Sequence, residues 1–206
     1  MNSVTVNLDN LSQSARAEVL RSIGATEAKG EARFPGVKDG ETFAVAGVEF
    51  IKFPDVDGMT PVVMRDVAFT SRFGDNNDLR RSDVLKKLEA GYLPKIIAAI
   101  GEENLCTIKT DLTTLDGLKP YGVMDSLVSL PTLDFYRAHV DIFDKYKVDE
   151  WWWTATPESA QPHDDPNWVV CVSPSGCIRC CHYYIGVIGV RPFCILKSSI
   201  FESSEE

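Results

Sequence analysis

The order of apolar patterns along the chain predicts an α+β fold. Strand-like segments occupy residues 42–68, helical periodicities fill 82–100 and 132–146, and strand-like segments return from 151 to 196. Strands grouped apart from helices indicate α+β rather than a wound parallel sheet. A chain of 206 residues, 44% of them apolar, is long enough to bury one substantial core with a small appendage.

Residues 1–30 read as that appendage. Val4 to Leu8 is a short strand candidate, and Ser12 to Ile23 carries Ala15, Val19, Leu20 and Ile23 at helical spacing before Gly24. A single helix of this length is marginal in water, so it is expected to pack on the body, on another copy or on a partner. Residues 31–40 read as a linker and 41–201 as the main domain. In the domain, Thr42 to Phe53 reads as a hairpin and Thr60 to Ala68 as a strand after the Asp57-Gly58 turn. Ser82 is placed to cap a helix ending at Gly91, and Pro94 suits the first turn of a second helix bearing Ile96, Ile97 and Ile100. Leu105 to Leu115 and Leu127 to Leu130 are read as strands, Thr132 to Tyr146 as one helix. From Trp168 to Pro192, two strands flank a Ser173-Pro174-Ser175-Gly176 turn.

A net charge of −9 argues against a nucleic-acid partner, which would call for a basic face. No apolar run approaches the roughly 18 residues of a membrane span, and no basic start precedes an apolar stretch, so membrane insertion and a secretory leader are not expected. Synthesis and folding in a bacterial cytoplasm fit that pattern. Of the six cysteines, Cys106 stands apart and five crowd between Cys171 and Cys194, unlike the spread spacing of a disulfide framework.

The residues suited to chemistry are few. In a strand, Trp151 and Trp153 share one face and Trp152 takes the other, which points to core packing. Arg191, flanked by apolar residues, is expected as a buried structural arginine paired with Glu150 or Asp149, with anion binding as the alternative. Cys177, Cys180, Cys181 and His182 invite a zinc reading completed by Cys171 or Cys194, but adjacent Cys180 and Cys181 point to opposite strand faces and serve one ion poorly. His163-Asp164-Asp165 reads as a solvated acidic loop before it reads as a cation site. No nucleophile elbow, phosphate loop or His-Glu-x-x-His is present, and His139, His163 and His182 have no recognisable orienting partner. No catalytic residue, metal or cofactor is expected.

The C-terminal ribbon is unusual in composition. From Val169 to Cys194 it holds no Lys, Glu, Gln, Met or Trp, types that recur elsewhere in the chain, and every residue in it is encodable by a codon ending in C. A strand selected for packing would alternate β-branched with Lys, Glu or Gln residues. The segment Cys177-Ile178-Arg179-Cys180-Cys181-His182-Tyr183-Tyr184-Ile185 does not.

The run Trp151-Trp152-Trp153-Thr154-Ala155-Thr156-Pro157, the ribbon with its Ser-x-x-Gly turn, and Gly189-Val190-Arg191-Pro192 resemble the C-terminal signature of an uncharacterised domain family of phages and prophages of gut Firmicutes. The resemblance spans about residues 40–196. That family in turn resembles the C-type-lectin-like fold of the formylglycine-generating-enzyme group, used also by the variable proteins of diversity-generating retroelements. In those systems template adenines are miscopied, AAC codons become NNC, and Lys, Glu, Gln, Met and Trp are excluded. The resemblance implies a C-type-lectin-like domain that displays a variable surface, tail-associated in a virion, toward a host surface protein or glycan, with residues 1–30 docking on other virion proteins or on a second copy. It implies a frame of Trp151, Trp152, Trp153, Gly176, Ile178, Gly189 and Arg191. The variable, ligand-facing positions it implies are His163, Asp164, Asp165, Asn167, Cys177, Arg179, Cys181, His182, Tyr183, Tyr184, Ile185 and Val187. Thiols and aliphatics stand at several of these in place of the family's usual Tyr, Asn and Asp. An enzyme of the formylglycine-generating type, using cysteines between Cys177 and Cys194 with a metal, and an invariant virion structural protein are the alternative readings.

Overall fold

A computed structural model describes residues 33–202, so the strand and helix expected within 1–30 lie outside the described residues. The chain is α+β. Strands β1 (Thr42–Val45) and β2 (Val48–Lys52) form the expected hairpin, and β3 (Met59–Met64) follows the second turn. Ala46 and Gly47 turn the first corner at φ 51° and 77°, Asp57 and Gly58 the second at 52° and 76°. Two successive left-handed residues are what a tight hairpin needs to match the right-handed twist of its strands.

β3 stops at Met64, short of the expected Ala68, because the chain then crosses to another sheet, where β4 (Phe69–Thr70) begins. Ser82 caps helix α1 (Asp83–Lys87), its hydroxyl accepting from the Leu85 N–H at 2.9 Å. Gly91 is not the stop expected of it. The chain runs through a π-turn at Leu88–Tyr92 directly into α2 (Leu93–Ile100), with the Leu93 N–H reaching back to the Leu88 carbonyl. Pro94 follows at once and has no N–H to give, so a widened turn accommodates it where a regular one would not.

The strand expected over Leu105–Leu115 is two short ones, β5 (Leu105–Cys106) and β6 (Ile108–Asp111), in different sheets. β7 (Val123–Ser126) pairs with β6 and precedes the expected Leu127–Leu130, which contributes only an isolated bridge from Ser129 to Phe193. The helix expected over Thr132–Tyr146 is broken at His139 into α3 (Leu133–Ala138) and α4 (Val140–Lys145). His139 leaves helical geometry at φ −131°, and its ring packs edge-on against Phe53 at 5.2 Å. The remaining strands are β8 (Trp152–Pro157), β9 (Trp168–Val172), β10 (Ile178–His182), β11 (Gly189–Val190) and β12 (Phe193–Lys197).

One five-stranded sheet has the order β1-β2-β3-β12-β5 and the other β10-β9-β8-β11-β4, with β6-β7 a separate pair. Alternation along each strand feeds two cores. Phe50, Val62, Trp153, Val169, Cys171 and Cys194 join α1 and α2 in one, while Ile51, Val63, Trp152, Val170, Val172 and Phe193 join α3 and α4 in the other. Strands covered on both faces explain why Val169 to Val172 reads as an unbroken apolar run. Residues 33–40, expected as linker, have neither helix nor strand, yet Phe34 sits 4.7 Å from Phe43 and donates its N–H to the Ile200 carbonyl at 2.9 Å. No helix among the described residues is long and apolar enough to cross a membrane.

Candidate functional site

The β9–β10 hairpin lies at the rim of its sheet, with β10 as the edge strand and a rigid support beneath it. Trp152 stacks on Phe143 with centroids 5.6 Å apart, and Trp153 on the opposite face meets Phe73 edge-on at 5.5 Å and donates its indole N–H to the Ser71 carbonyl at 2.8 Å. Trp151 differs from its neighbours: its side chain is 37% exposed, and its backbone carbonyl accepts from the Gly189 N–H. Gly189 tolerates no side chain, because a Cβ there would come within 2.7 Å of Val67 and 3.0 Å of the Trp151 carbonyl. Gly176 holds φ +85° in the hairpin turn, and its carbonyl accepts from the Tyr136 hydroxyl at 2.8 Å. Ile178 is half-buried against the second core.

Arg191 is buried, as expected, but not against Glu150 or Asp149. Its Nε donates to the Met64 carbonyl at 3.1 Å and its Nη2 to the Arg65 carbonyl at 2.7 Å, while the guanidinium lies over Trp152 and Phe143 at 5.3 and 5.4 Å. The chain's crossing between sheets at Arg65 frees those two carbonyls, and a planar fork answers both. Burial pushes the Arg191 guanidinium down to about 10, so it remains charged at neutral pH.

On the hairpin, Arg179 and Cys181 lie opposite Cys171 and Val169 and share their face, whereas Cys180 and His182 share the face of Val170 and Trp168. His182 sits at the centre of an aromatic ridge, 5.2 Å from Trp168, 4.5 Å from Tyr183 and 4.0 Å from Tyr184. Tyr184 is 61% exposed, Trp168 39% and nearby Val187 75%. Tyr183 and Ile185 turn partly toward the first core, and the Tyr183 carbonyl accepts from the Phe73 N–H at 2.7 Å. The His182 Nδ1 atom is buried and without a partner. Arg179 bends back to donate to the Ile178 carbonyl at 2.9 Å, covering one of the backbone acceptors of the edge.

The loop that leads into β9 is fastened by residues far away in sequence. The Asn77 amide donates to the carbonyls of Ser159 and Trp168 at 2.8 and 3.0 Å, its backbone N–H reaches Pro166, and its side-chain oxygen accepts from Tyr121 at 2.7 Å. Asp116 accepts from the Ser159 hydroxyl at 2.6 Å and holds His163 Nδ1 at 3.0 Å, and these hydrogen bonds, with one from Thr114, keep its carboxyl below the usual carboxylate range. Asp164 and Asp165 accept from the Asp165 N–H and the Gln161 amide. Asn167 carries its carbonyl to the Tyr183 N–H at 3.0 Å, which joins loop and ridge. Replacing Asn77 with Ala would strand the Ser159 carbonyl and the Tyr121 hydroxyl in a part-buried site and leave the Trp168 carbonyl with the Glu158 N–H alone. We expect a loss of about 2–3 kcal/mol in chemical denaturation, with amide exchange accelerated first in residues 158–167.

The structure gathers the expected ligand-facing residues only in part. Asn167, His182, Tyr183 and Tyr184 form one neighbourhood with Trp168, which sequence reasoning missed because it was read only as the start of a strand. Cys177 and Arg179 stand toward the hairpin turn, Cys181 turns to the opposite face of β10, and His163 sits on Asp116. None of these residues is buried. Asn77 and Asp116 had no local signal, since each acts across 40 residues or more: 82 and 91 separate Asn77 from its carbonyl partners, 47 separate Asp116 from His163.

The cysteines do not converge. Cys177 is exposed at the turn, its thiol lowered chiefly by the Ser175 hydroxyl. Cys180 is pushed up to about 12 by burial and then by Glu158, and burial alone takes Cys194 to about 12. Cys171 and Cys181 face each other: their mutual hydrogen bond, followed by burial, raises Cys171, and the same bond lowers Cys181 against the effect of burial. No group of three or more metal-ligating side chains occurs among the described residues. Comparison with known proteins gives no matching family model, no matching curated protein and no matching solved structure.

Proposed function

We propose that this chain is a display protein: a C-type-lectin-like scaffold that presents a diversified surface for binding a ligand or receptor, tail-associated in a phage and directed at a host surface protein or glycan. The observation that carries the reading is the aromatic ridge of Trp168, His182, Tyr183 and Tyr184 on an edge hairpin, backed by buried Trp152, Trp153 and Arg191. Exposed aromatics with few rotatable bonds bring contact area at little entropic cost, and a packed support keeps that cost low. Trp168, Tyr184 and Val187 are exposed, so substitution at these positions removes little from the cores beneath, which is what a diversified surface requires. The excluded residue types of the ribbon supply the link to retroelement mutagenesis.

Sequencing the encoding DNA with its flanks tests the mechanism. Codons of the form NNC at the twelve implied positions, a near-copy with AAC at those sites and an adjacent reverse transcriptase are expected; mixed codons without a template repeat would sink it. The binding role is tested with Tyr184→Ala. Adsorption of the purified chain to cells of the strain carrying that DNA should fall by about 30-fold or more, as loss of an aromatic anchor does, with the melting temperature unchanged. Equal adsorption by both proteins would remove the ridge from the binding role.

A further inference from the structure

We propose that Cys171 and Cys181 form a dithiol–disulfide site, a cross-strand pair that a hydroperoxide oxidises and a small-molecule thiol restores. In the β9–β10 ladder Cys171 lies opposite Arg179 and Cys181 opposite Val169, so the two sulfurs project from one face on a diagonal. Their settings differ in the way such a site needs. Cys171 is fully buried in a strand held on both sides, whereas Cys181 is half-buried on the edge strand. The proximity of the two thiols raises Cys171 and lowers Cys181.

The other pairings are disfavoured by strand geometry. Cys180 is on the opposite face of β10 from both Cys181 and Cys177. Cys177 shares the face of Cys181, but it sits at the exposed turn with its sulfur engaged by the Ser175 hydroxyl at 3.5 Å. Cys194 and Cys106 belong to the other five-stranded sheet. A disulfide requires Cα atoms within about 7 Å and an S–S bond of about 2.05 Å. Diagonal neighbours stand about 7–8 Å apart, so closing the bridge requires a shift of about 1 Å, and β10, with no neighbour on its outer side, is the strand placed to make it.

The chemistry closes without a metal. The Cys181 sulfur attacks the terminal oxygen of the hydroperoxide, the O–O bond breaks, an S–O bond forms, and the remaining alkoxide or hydroxide leaves with a proton. The Cys171 sulfur then attacks the Cys181 sulfur, the S–O bond breaks, and the departing hydroxide takes the Cys171 proton to leave as water. Two thiols give up two hydrogens and two electrons, and the hydroperoxide becomes alcohol, or water, plus water.

The test is peptide mapping and thiol counting on the full chain after hydrogen peroxide. The expected protein loses two of its six thiols, carries a Cys171–Cys181 crosslink, and regains both thiols with dithiothreitol. Cys171→Ser should stop at a sulfenic acid on Cys181 that dimedone traps, Cys181→Ser should fail to crosslink, and Cys177→Ser and Cys180→Ser should crosslink as the parent does. Six thiols surviving in the parent chain, a bridge through Cys177 or Cys180, or sulfinic acid on Cys181 with no bridge would each overturn the proposal, and none of these readings depends on a variant folding.

Discussion

Trp153→Ala is expected to lower stability by about 3–5 kcal/mol, the range for emptying a buried aromatic site, and Trp151→Ala by less than about 1 kcal/mol. The two residues are near neighbours of the same type, yet Trp153 is fully enclosed and Trp151 is 37% exposed. Removing the Trp153 ring empties the space beside Phe73 and Cys171 and leaves the Ser71 carbonyl without its donor at 2.8 Å. Removing the Trp151 ring leaves its carbonyl still bonded to Gly189. Thermal unfolding should show the contrast directly, since about 2–4 °C of melting temperature accompanies each kcal/mol in a chain of this size. Equal losses at the two positions would mean that the two-core packing is not as described.

Arg191→Ala should cost about 3 kcal/mol or more, because it empties a large buried volume and also strands backbone acceptors. The Met64 and Arg65 carbonyls lose their donors, and the Trp152 and Phe143 rings lose the cation that lies over them. Part of the loss is returned, since ionised Arg191 is itself held out of water. Burial lowers its pKa to about 10 from 12.5, so the folded state binds this proton less tightly than the unfolded one. The charge of Arg191, taken by itself, weighs against folding at neutral pH, and that penalty shrinks as pH rises through 10. Urea midpoints at pH 7 should still separate parent and variant, because the lost donors and packing outweigh that penalty, and a variant as stable as the parent would show that the carbonyls find other partners.

Local rules were read well where the signal is local. Ser82 before Asp83, Pro94 at a helix start, Asp57-Gly58 between strands and the ribbon around Gly176 all rest on a few adjacent residues, and the structure keeps each. Errors arose where distant packing decides. Gly91 carries the local signal of a stop because glycine usually ends helices, but the proline three residues later sets the turn type. The apolar stretch from Leu105 was read as one strand because nothing local reveals that its two ends serve different sheets. Arg191 was given a carboxylate partner because charge is visible in sequence, whereas two carbonyls freed by a chain crossing are not. The aromatic ridge was half legible for the same reason. Tyr183 and Tyr184 stood out by type, but Trp168 reaches His182 only through the register of the hairpin.

The position of β11 and β12 bears on how the protein is made. Gly189–Val190 fits between β8 and β4, and Phe193–Lys197 fits between β3 and β5, so a segment of nine residues near the end of the described chain sits inside both large sheets. On a ribosome neither sheet can close until that segment has emerged. Until then β3 and β8 present open edges, and Val62, Val63 and Trp153 have only part of their final neighbours. The nascent chain must wait for this segment, and the edge of β3 stays open to strand-to-strand association while residues 65–192 are being made.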